Sequence, residues 1–347
     1  MSANCDATTK TLPCFFGRRT LRYTLGVVLA IALAYSIDWT LAYIMPVFVA
    51  KFFVDRPAPS RGTFDELFLA MVVTVLIALV VSHGVTQYPL ILLLLIGLLM
   101  FWAYYLFQDP RWNFFAMILM IAVLLVPYMG IIHPAAALLL GKGLMVSGIG
   151  AVVIFWLMHQ ILPEPIIEPD GSSAQRRDVS LSEPLRVGNA LKALAISFPV
   201  IVYFYYFQAS GALLTLAFIG ILSLQLTSPG SIKLSIFLLL TNMVGGILAV
   251  IAYELLVVAP WFPFLLAMMT LFAWLFAQKL YLEPHKAPVY AGIFSAMLVV
   301  FGSVISGGGK EIDVSFYTRI GQIFLASIYL VLVAWLVDRH ASVSGSR

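Results

Sequence analysis

Charged side chains are scarce in this sequence: Asp, Glu, Lys and Arg make up 10% of its 347 residues. A soluble domain carries about 25%. So few polar groups cannot cover a water-facing surface, which excludes a soluble domain of any size and leaves lipid as the solvent. Cysteine is nearly absent too. Cys5 and Cys14 both precede the first apolar run, so no disulfide framework is expected, and reduced thiols in the cytoplasm are. The histidines, His83, His133, His159, His285 and His340, are scattered. They show no metal-ligand spacing, so no metal, no cofactor and no catalytic residue is expected. Gly307-Gly308-Gly309-Lys310 lacks the full phosphate-loop spacing and the hydroxyl residue after lysine. It reads as a flexible turn, and ATP hydrolysis by this chain is not expected.

Apolar residues are what the chain has: 62% of the total, with a mean hydropathy of +1.01. A helix needs about 20 apolar residues to cross the hydrocarbon core. Lipid cannot satisfy free backbone groups, so the spanning form is helical unless a barrel closes. A barrel would alternate in polarity over segments of about ten residues, whereas runs such as 88–107 are apolar on every face. The fold class expected is an all-α integral membrane protein of about 12 transmembrane helices. Candidate spans are 23–36, 41–53, 67–81, 88–107, 114–132, 135–162, 190–207, 211–226, 232–258, 262–282, 288–305 and 314–337. Lys10, Arg18, Arg19 and Arg22 before a run ending at Ala32-Leu33-Ala34 have the look of a signal peptide. Retention as the first helix is the expectation.

Alternating these spans from an internal N-terminus leaves only Lys142, Lys310 and Arg319 of the basic residues on the outer side. By the positive-inside rule both termini are then cytoplasmic. The net charge of +4 lies in membrane-flanking loops, so no nucleic-acid partner is expected. Segment 163–189 holds Pro163, Pro165, Pro169, Gly171, Ser172 and Ser173 and reads as a cytoplasmic linker. It divides the chain into six-helix halves, 1–162 and 190–347. The halves open alike, with Leu21-Arg22 and Leu185-Arg186, and each has a short second segment followed by a basic, Pro-containing loop, Arg56–Arg61 and 228–233. Two parallel six-helix repeats are the expected architecture.

Ionisable residues inside spans are the default functional candidates, because a charge at a helix centre costs about 2.5–3.5 kcal/mol. Lys142, between Gly141 and Gly143, and Glu254 lie at comparable outer depths; together they are expected to line a polar cavity. Asp38 ends the first span beside Trp39, an expected interfacial anchor. Arg319, early in the twelfth span, suits an organic anion. Asn242 is a possible substrate contact, with helix-to-helix hydrogen bonding the plainer role. Gly143, Ser147 and Ala151 make a close-packing face. Pro46, Pro127, Pro134 and Gly211 are candidate helix breaks, the kind of interruption that marks a transporter's binding region.

The Arg18-Arg19-Thr20-Leu21-Arg22 approach, the turn at Asp38-Trp39, the short segment from Leu41 to Ala50, the loop from Pro57 to Arg61 and the second copy from Leu185 together resemble the fusaric acid resistance, or aromatic acid exporter, superfamily of bacterial inner-membrane proteins. The likeness is one of pattern over nearly the whole chain, with a 163–189 linker where larger members have a sizeable cytoplasmic domain. It implies efflux of small organic, often aromatic, acids from the inner membrane, alongside a periplasmic membrane-fusion adaptor. The first expectation is therefore a secondary transporter driven by the proton gradient, taking a small organic anion, with a homo-oligomer left open as its assembly. A non-transporting scaffold of an envelope system is the alternative. A lipid-acting membrane enzyme is the weakest, since no His, Asp or Cys cluster converges at one face.

Overall fold

A computed structural model describes residues 11–39, 41–56, 59, 61–109, 111–163, 183–207, 212–224 and 231–305, and positions 321, 325, 328, 329, 332 and 333. All regular structure among them is helical: α1 (Thr11–Ile37), α2 (Ile44–Asp55), α3 (Arg61–Gly84), α4 (Pro89–Phe107), α5 (Asn113–Ile132), α6 (Pro134–Ile161), α7 (Glu183–Phe207), α8 (Ala212–Leu224), α9 (Ser231–Val258), α10 (Phe262–Leu282) and α11 (Ala287–Ile305). Among the described residues, all but α2 and α8 are long and apolar enough to cross a bilayer, nine in number. The chain is a multi-pass membrane protein in contact with lipid. The twelfth span, 314–337, lies outside the described residues except at the isolated positions. There Tyr329 and Val333 pack on the core, and Leu325 and Leu332 are exposed.

Three helices begin well ahead of the spans read from sequence, α3 among them, at Arg61 rather than 67. Helix α1 begins at Thr11, so Cys14 lies within the helix rather than before it. Helix α7 begins at Glu183, inside the segment assigned to the linker. A carboxylate in the first turn suits the positive helix end, and Pro184 costs nothing where no N–H is needed.

Burial separates the helices by role. In α5, 15 of 20 residues are buried, which makes it the central post of its half. In α4 only six are; Leu90, Ile91, Leu94, Leu98 and Trp102 face outward, as a lipid-facing stripe should. Helix α2 has 12 residues, about 18 Å, too short for a 30 Å core. Yet Ile44, Met45, Pro46, Phe48, Val49, Ala50, Phe52 and Phe53 are all buried. Protein, not lipid, surrounds it, and that is the condition for a short or irregular segment at membrane depth.

Neighbouring helices follow a regular plan. Within the first half α3 packs on α5, α1 on α2 and α4 on α5. Within the second, α9 packs on α11, α7 on α8 and α10 on α11. Across the halves α1 meets α10 and α2 meets α11; α4 meets α7 and α5 meets α8. The Cβ direction of Gly130, near the end of α5, points at Ser82, near the end of α3. These two helices therefore run parallel, as alternation through α4 requires.

Candidate functional site between the halves

Two seams join the halves, and their chemistry differs. The first is formed by α1 and α2 against α10 and α11. It contains a small cavity lined by Ile31 and Tyr35 of α1, Pro46 of α2, Met269 of α10, and Leu298 and Phe301 of α11. Its volume is about 10 Å³, room for one water. No charged side chain lines it. At the Asp38 end of the seam, Tyr35 and Tyr43 close over Gly302. A Cβ built there would stand 3.1 Å from the Tyr35 hydroxyl and would collide with the Tyr43 Cβ, so α11 approaches the start of α2 more closely than any side chain would permit. Asp38 and Tyr43 are the electrostatic neighbours of Tyr35.

Toward the Arg22 end, the same four helices contribute an aromatic layer. Tyr23 has ring centroids 6.0 Å from Phe53, 6.4 Å from Tyr281 and 6.1 Å from Phe294. Phe294 in turn lies 5.0 Å from Phe276. Tyr23, Phe53 and Phe294 are fully buried. Beside this layer Arg22 is 2% exposed. Its guanidinium lies 6.0 Å from the Phe53 ring centre and donates to the carbonyl of Leu162, the C-cap of α6, at 3.4 Å. A helix C-terminus carries partial negative charge, which helps to offset the cost of burying the cation.

The second seam, α4 and α5 against α7 and α8, is tied by hydrogen bonds. The Tyr104 hydroxyl of α4 lies 2.6 Å from the Ser197 Oγ of α7 and donates to the Ser223 Oγ of α8 at 2.7 Å. Each serine also has a backbone acceptor on its own helix, Ala193 and Gly220, both at 2.9 Å. All three side chains are buried. Pro127 sits inside α5 and withholds an N–H from the carbonyl of Val123. The Tyr205 hydroxyl of α7 donates into that gap, 3.4 Å from the Val123 oxygen and 2.8 Å from that of Leu124. At the end of the seam Arg186 donates to the Tyr105 carbonyl at 3.1 Å and stacks over its ring at 4.4 Å. Gln108 binds the Arg186 carbonyl and accepts from Asn189.

The residues marked by sequence fall unevenly on this frame. Lys142 and Glu254 are exposed, and their helices α6 and α9 share no packed face, so the structure does not bring them together. Asp38 is exposed at the mouth of the first seam, with φ of 48°. Asn242 is half-buried in α9. Arg319 and Gly211 lie outside the described residues. Pro46 lines the cavity but does not break α2: it occupies the first turn, where its missing N–H leaves no carbonyl unpaired. Pro134 likewise opens α6. Pro127 is a true interruption.

Trp39 is more than an interfacial anchor. Its indole Nε1 donates to the Ser147 Oγ at 2.9 Å, and Ser147 donates to the Leu41 carbonyl at 2.9 Å. This pins a turn in which Leu41 holds φ of 65°, an uncommon backbone for a branched residue. Gly143, Ser147 and Ala151 are all buried in α6, but the close approach to α3 is made further round the helix, where a Cβ at Gly141 would meet Leu79 and one at Gly148 would meet Met71. Sequence reasoning missed Tyr35, Tyr104, Ser197, Ser223 and Tyr205. Hydroxyls in apolar runs carry no pattern that distinguishes a seam from a lipid face.

A family profile described as "Protein of unknown function (DUF2955)" matches residues 19–158, a stretch running from α1 into α6. No curated protein and no solved structure matches the chain.

Proposed function

We propose that this chain is a secondary transporter of the bacterial inner membrane, exporting small organic acids at the expense of the proton gradient, with both termini cytoplasmic. The observation that carries the reading is the paired contact plan. Swapping α1 with α7, α2 with α8, and so on through the chain, turns α1–α10 into α4–α7 and α2–α11 into α5–α8. The same exchange turns α3–α5 into α9–α11. This supports two six-helix repeats related by an axis along the membrane normal, twelve helices in all, with ligand passing between them. The seams divide the work. The hydrogen-bonded seam, with Tyr104, Ser197, Ser223 and Tyr205, is the hinge. The aromatic seam, with its cavity, is where the halves part. Asp38 at its mouth is the ionisable group best placed for coupling. Lys142 and Glu254 are exposed and do not line the cavity.

The test is organic-acid accumulation in cells lacking the gene, complemented with wild type, Gly302→Leu or Lys142→Ala, with and without a protonophore. Export restored by wild type, abolished by protonophore and lost in Gly302→Leu is the expected result, and Lys142→Ala should restore it. Accumulation unchanged by the gene across a broad panel of acids would sink the proposal. It would favour the scaffold reading.

A further inference from the structure

Lys142 of α6 and Glu254 of α9 are charges exposed on membrane-spanning helices. Among the described residues neither takes part in an ion pair. A charge left to lipid costs about 2.5–3.5 kcal/mol at a helix centre, so intramembrane charges are found paired or facing water. Their levels in the membrane match. Arg22 donates to the Leu162 carbonyl past one end of α6, and Trp39 reaches Ser147 nearer the other, so α6 starts at the Asp38 end of the molecule. Helix α9 runs parallel to α11: a Cβ at Gly245 would meet Ile293 and Met297, and one at Gly292, earlier in α11, faces Thr241, earlier in α9. Gly302 of α11 sits under Tyr35 and Tyr43, so α9 finishes at the Asp38 end too. At a rise of about 1.5 Å per residue, Lys142 lies roughly 12 Å from the start of α6 and Glu254 roughly 6 Å from the end of α9. The flexible lysine stem closes that difference by snorkelling outward.

Their surroundings match as well. Lys142 stands in an exposed apolar stripe of α6 with Leu139, Val146 and Val153, and Glu254 in one of α9 with Ile247, Ile251 and Leu255. Helix α6 packs its other faces on α1, α2, α3 and α5, and α9 packs on α11, so the two stripes do not meet within one chain. Lipid gives apolar faces no hydrophobic reason to associate; a pair of opposite charges desolvated between them does. An anionic headgroup suits Lys142 and repels Glu254. A second copy supplies both counter-charges, each already set in an apolar stripe at the right depth.

We propose that copies of this chain associate head-to-tail in the membrane, the α6 stripe of one against the α9 stripe of the next, with Lys142 of one paired to Glu254 of its neighbour. Because the copies share the membrane normal as axis, with no step along it, repetition of the contact closes a ring. The seam cavity lies inside each chain. The contact is therefore one of assembly, and it stands whether or not that seam carries a ligand.

Disulfide trapping in native membranes tests it before any detergent is added. In the full-length chain carrying Cys5→Ser and Cys14→Ser, one tagged copy has Val146→Cys and a differently tagged copy has Ile251→Cys. Each of these positions is exposed and lies about one turn inward of its charge. Oxidation with copper phenanthroline is expected to link the two tags. Either cysteine variant expressed alone should give no linked product, because the contact joins unlike faces. Lys142→Glu in the first copy should lose most of the product, and adding Glu254→Lys in the second copy should restore it. No link between the tags, or an equal link from either cysteine variant alone, overturns the proposal. So does a link indifferent to the charge reversals, which would leave both charges to lipid headgroups or water, and so does a loss that the paired reversal fails to rescue. A null result in the cellular accumulation assay, by contrast, removes the transporter reading without touching this contact.

Discussion

The Tyr205 hydroxyl of α7 lies 2.8 Å from the Leu124 carbonyl of α5, one turn before Pro127. The same hydroxyl reaches, at 3.4 Å, the Val123 carbonyl that the proline leaves without an N–H, and it does so from the opposite half of the chain. Interhelical hydrogen bonds in membranes average about 0.6 kcal/mol and reach about 1.7. This one belongs near the upper figure, because the Val123 oxygen is buried with no N–H of its own. Tyr205→Phe is therefore expected to cost about 1.5 kcal/mol, seen as a lower midpoint of thermal unfolding in mild detergent. A midpoint unchanged from wild type would mean that the proline gap is satisfied some other way.

The hydroxyl cluster of the same seam should respond asymmetrically. In Tyr104→Phe both serines keep their own carbonyl acceptors, Ala193 and Gly220, so the loss is small, about 0.6 kcal/mol. In the double variant Ser197→Ala, Ser223→Ala the Tyr104 hydroxyl stays buried with neither partner. An unsatisfied buried group costs about 1–3 kcal/mol. The double variant should thus melt well below Tyr104→Phe, although it removes hydroxyls of the same kind. The reverse order would show that the cluster is hydrated.

These residues mark the limit of what sequence alone made legible. Long apolar runs located α4 through α6 and α9 through α11 to within a residue or so, because burial in lipid forces length and composition together, whereas the polar first turns of α3 were missed. The short second segments were also visible, since a dozen apolar residues between a turn and a basic loop stand out. Intramembrane charges were legible as well, but Lys142 and Glu254 point outward and Pro46 opens its helix. Which side of a helix meets protein rather than lipid is not encoded in hydropathy, as both environments are apolar. The seam residues became visible only once α4 and α5 were set against α7 and α8.

Glu283 gives a pH prediction outside the membrane spans. Lys286 donates a hydrogen bond to it and holds its carboxyl below the ordinary value, with Tyr290 and Lys279 adding to the effect. The ion pair to Lys286 measures 2.9 Å and ties the end of α10 to the start of α11. A lowered folded-state pKa contributes stability that is present above the unfolded value and fades as pH falls through the folded one. Glu283→Gln should therefore lie below wild type at neutral pH and converge with it in acid. Because the pair is exposed, added salt should narrow the neutral-pH gap. Parallel melting profiles from neutral to acid pH would rule the linkage out.

Gly245 and Gly246 look interchangeable in the sequence and should behave in opposite ways. A Cβ on Gly245 would stand 2.6 Å from the Ile293 carbonyl oxygen and 3.0 Å from the Met297 nitrogen of α11. Those are backbone atoms of a packed helix and cannot swing aside. Gly245→Ala must push α9 off α11, at about 1–3 kcal/mol for overpacking. A Cβ on Gly246 meets nothing within 4 Å. There alanine gains helix propensity over glycine, up to about 1 kcal/mol, and Gly246→Ala should raise the unfolding midpoint that its neighbour lowers. If the two substitutions shift it in the same direction, α9 is not seated on α11 in this register. The α9–α11 contact that mirrors α3–α5, on which the two-repeat architecture leans, would then fall with it.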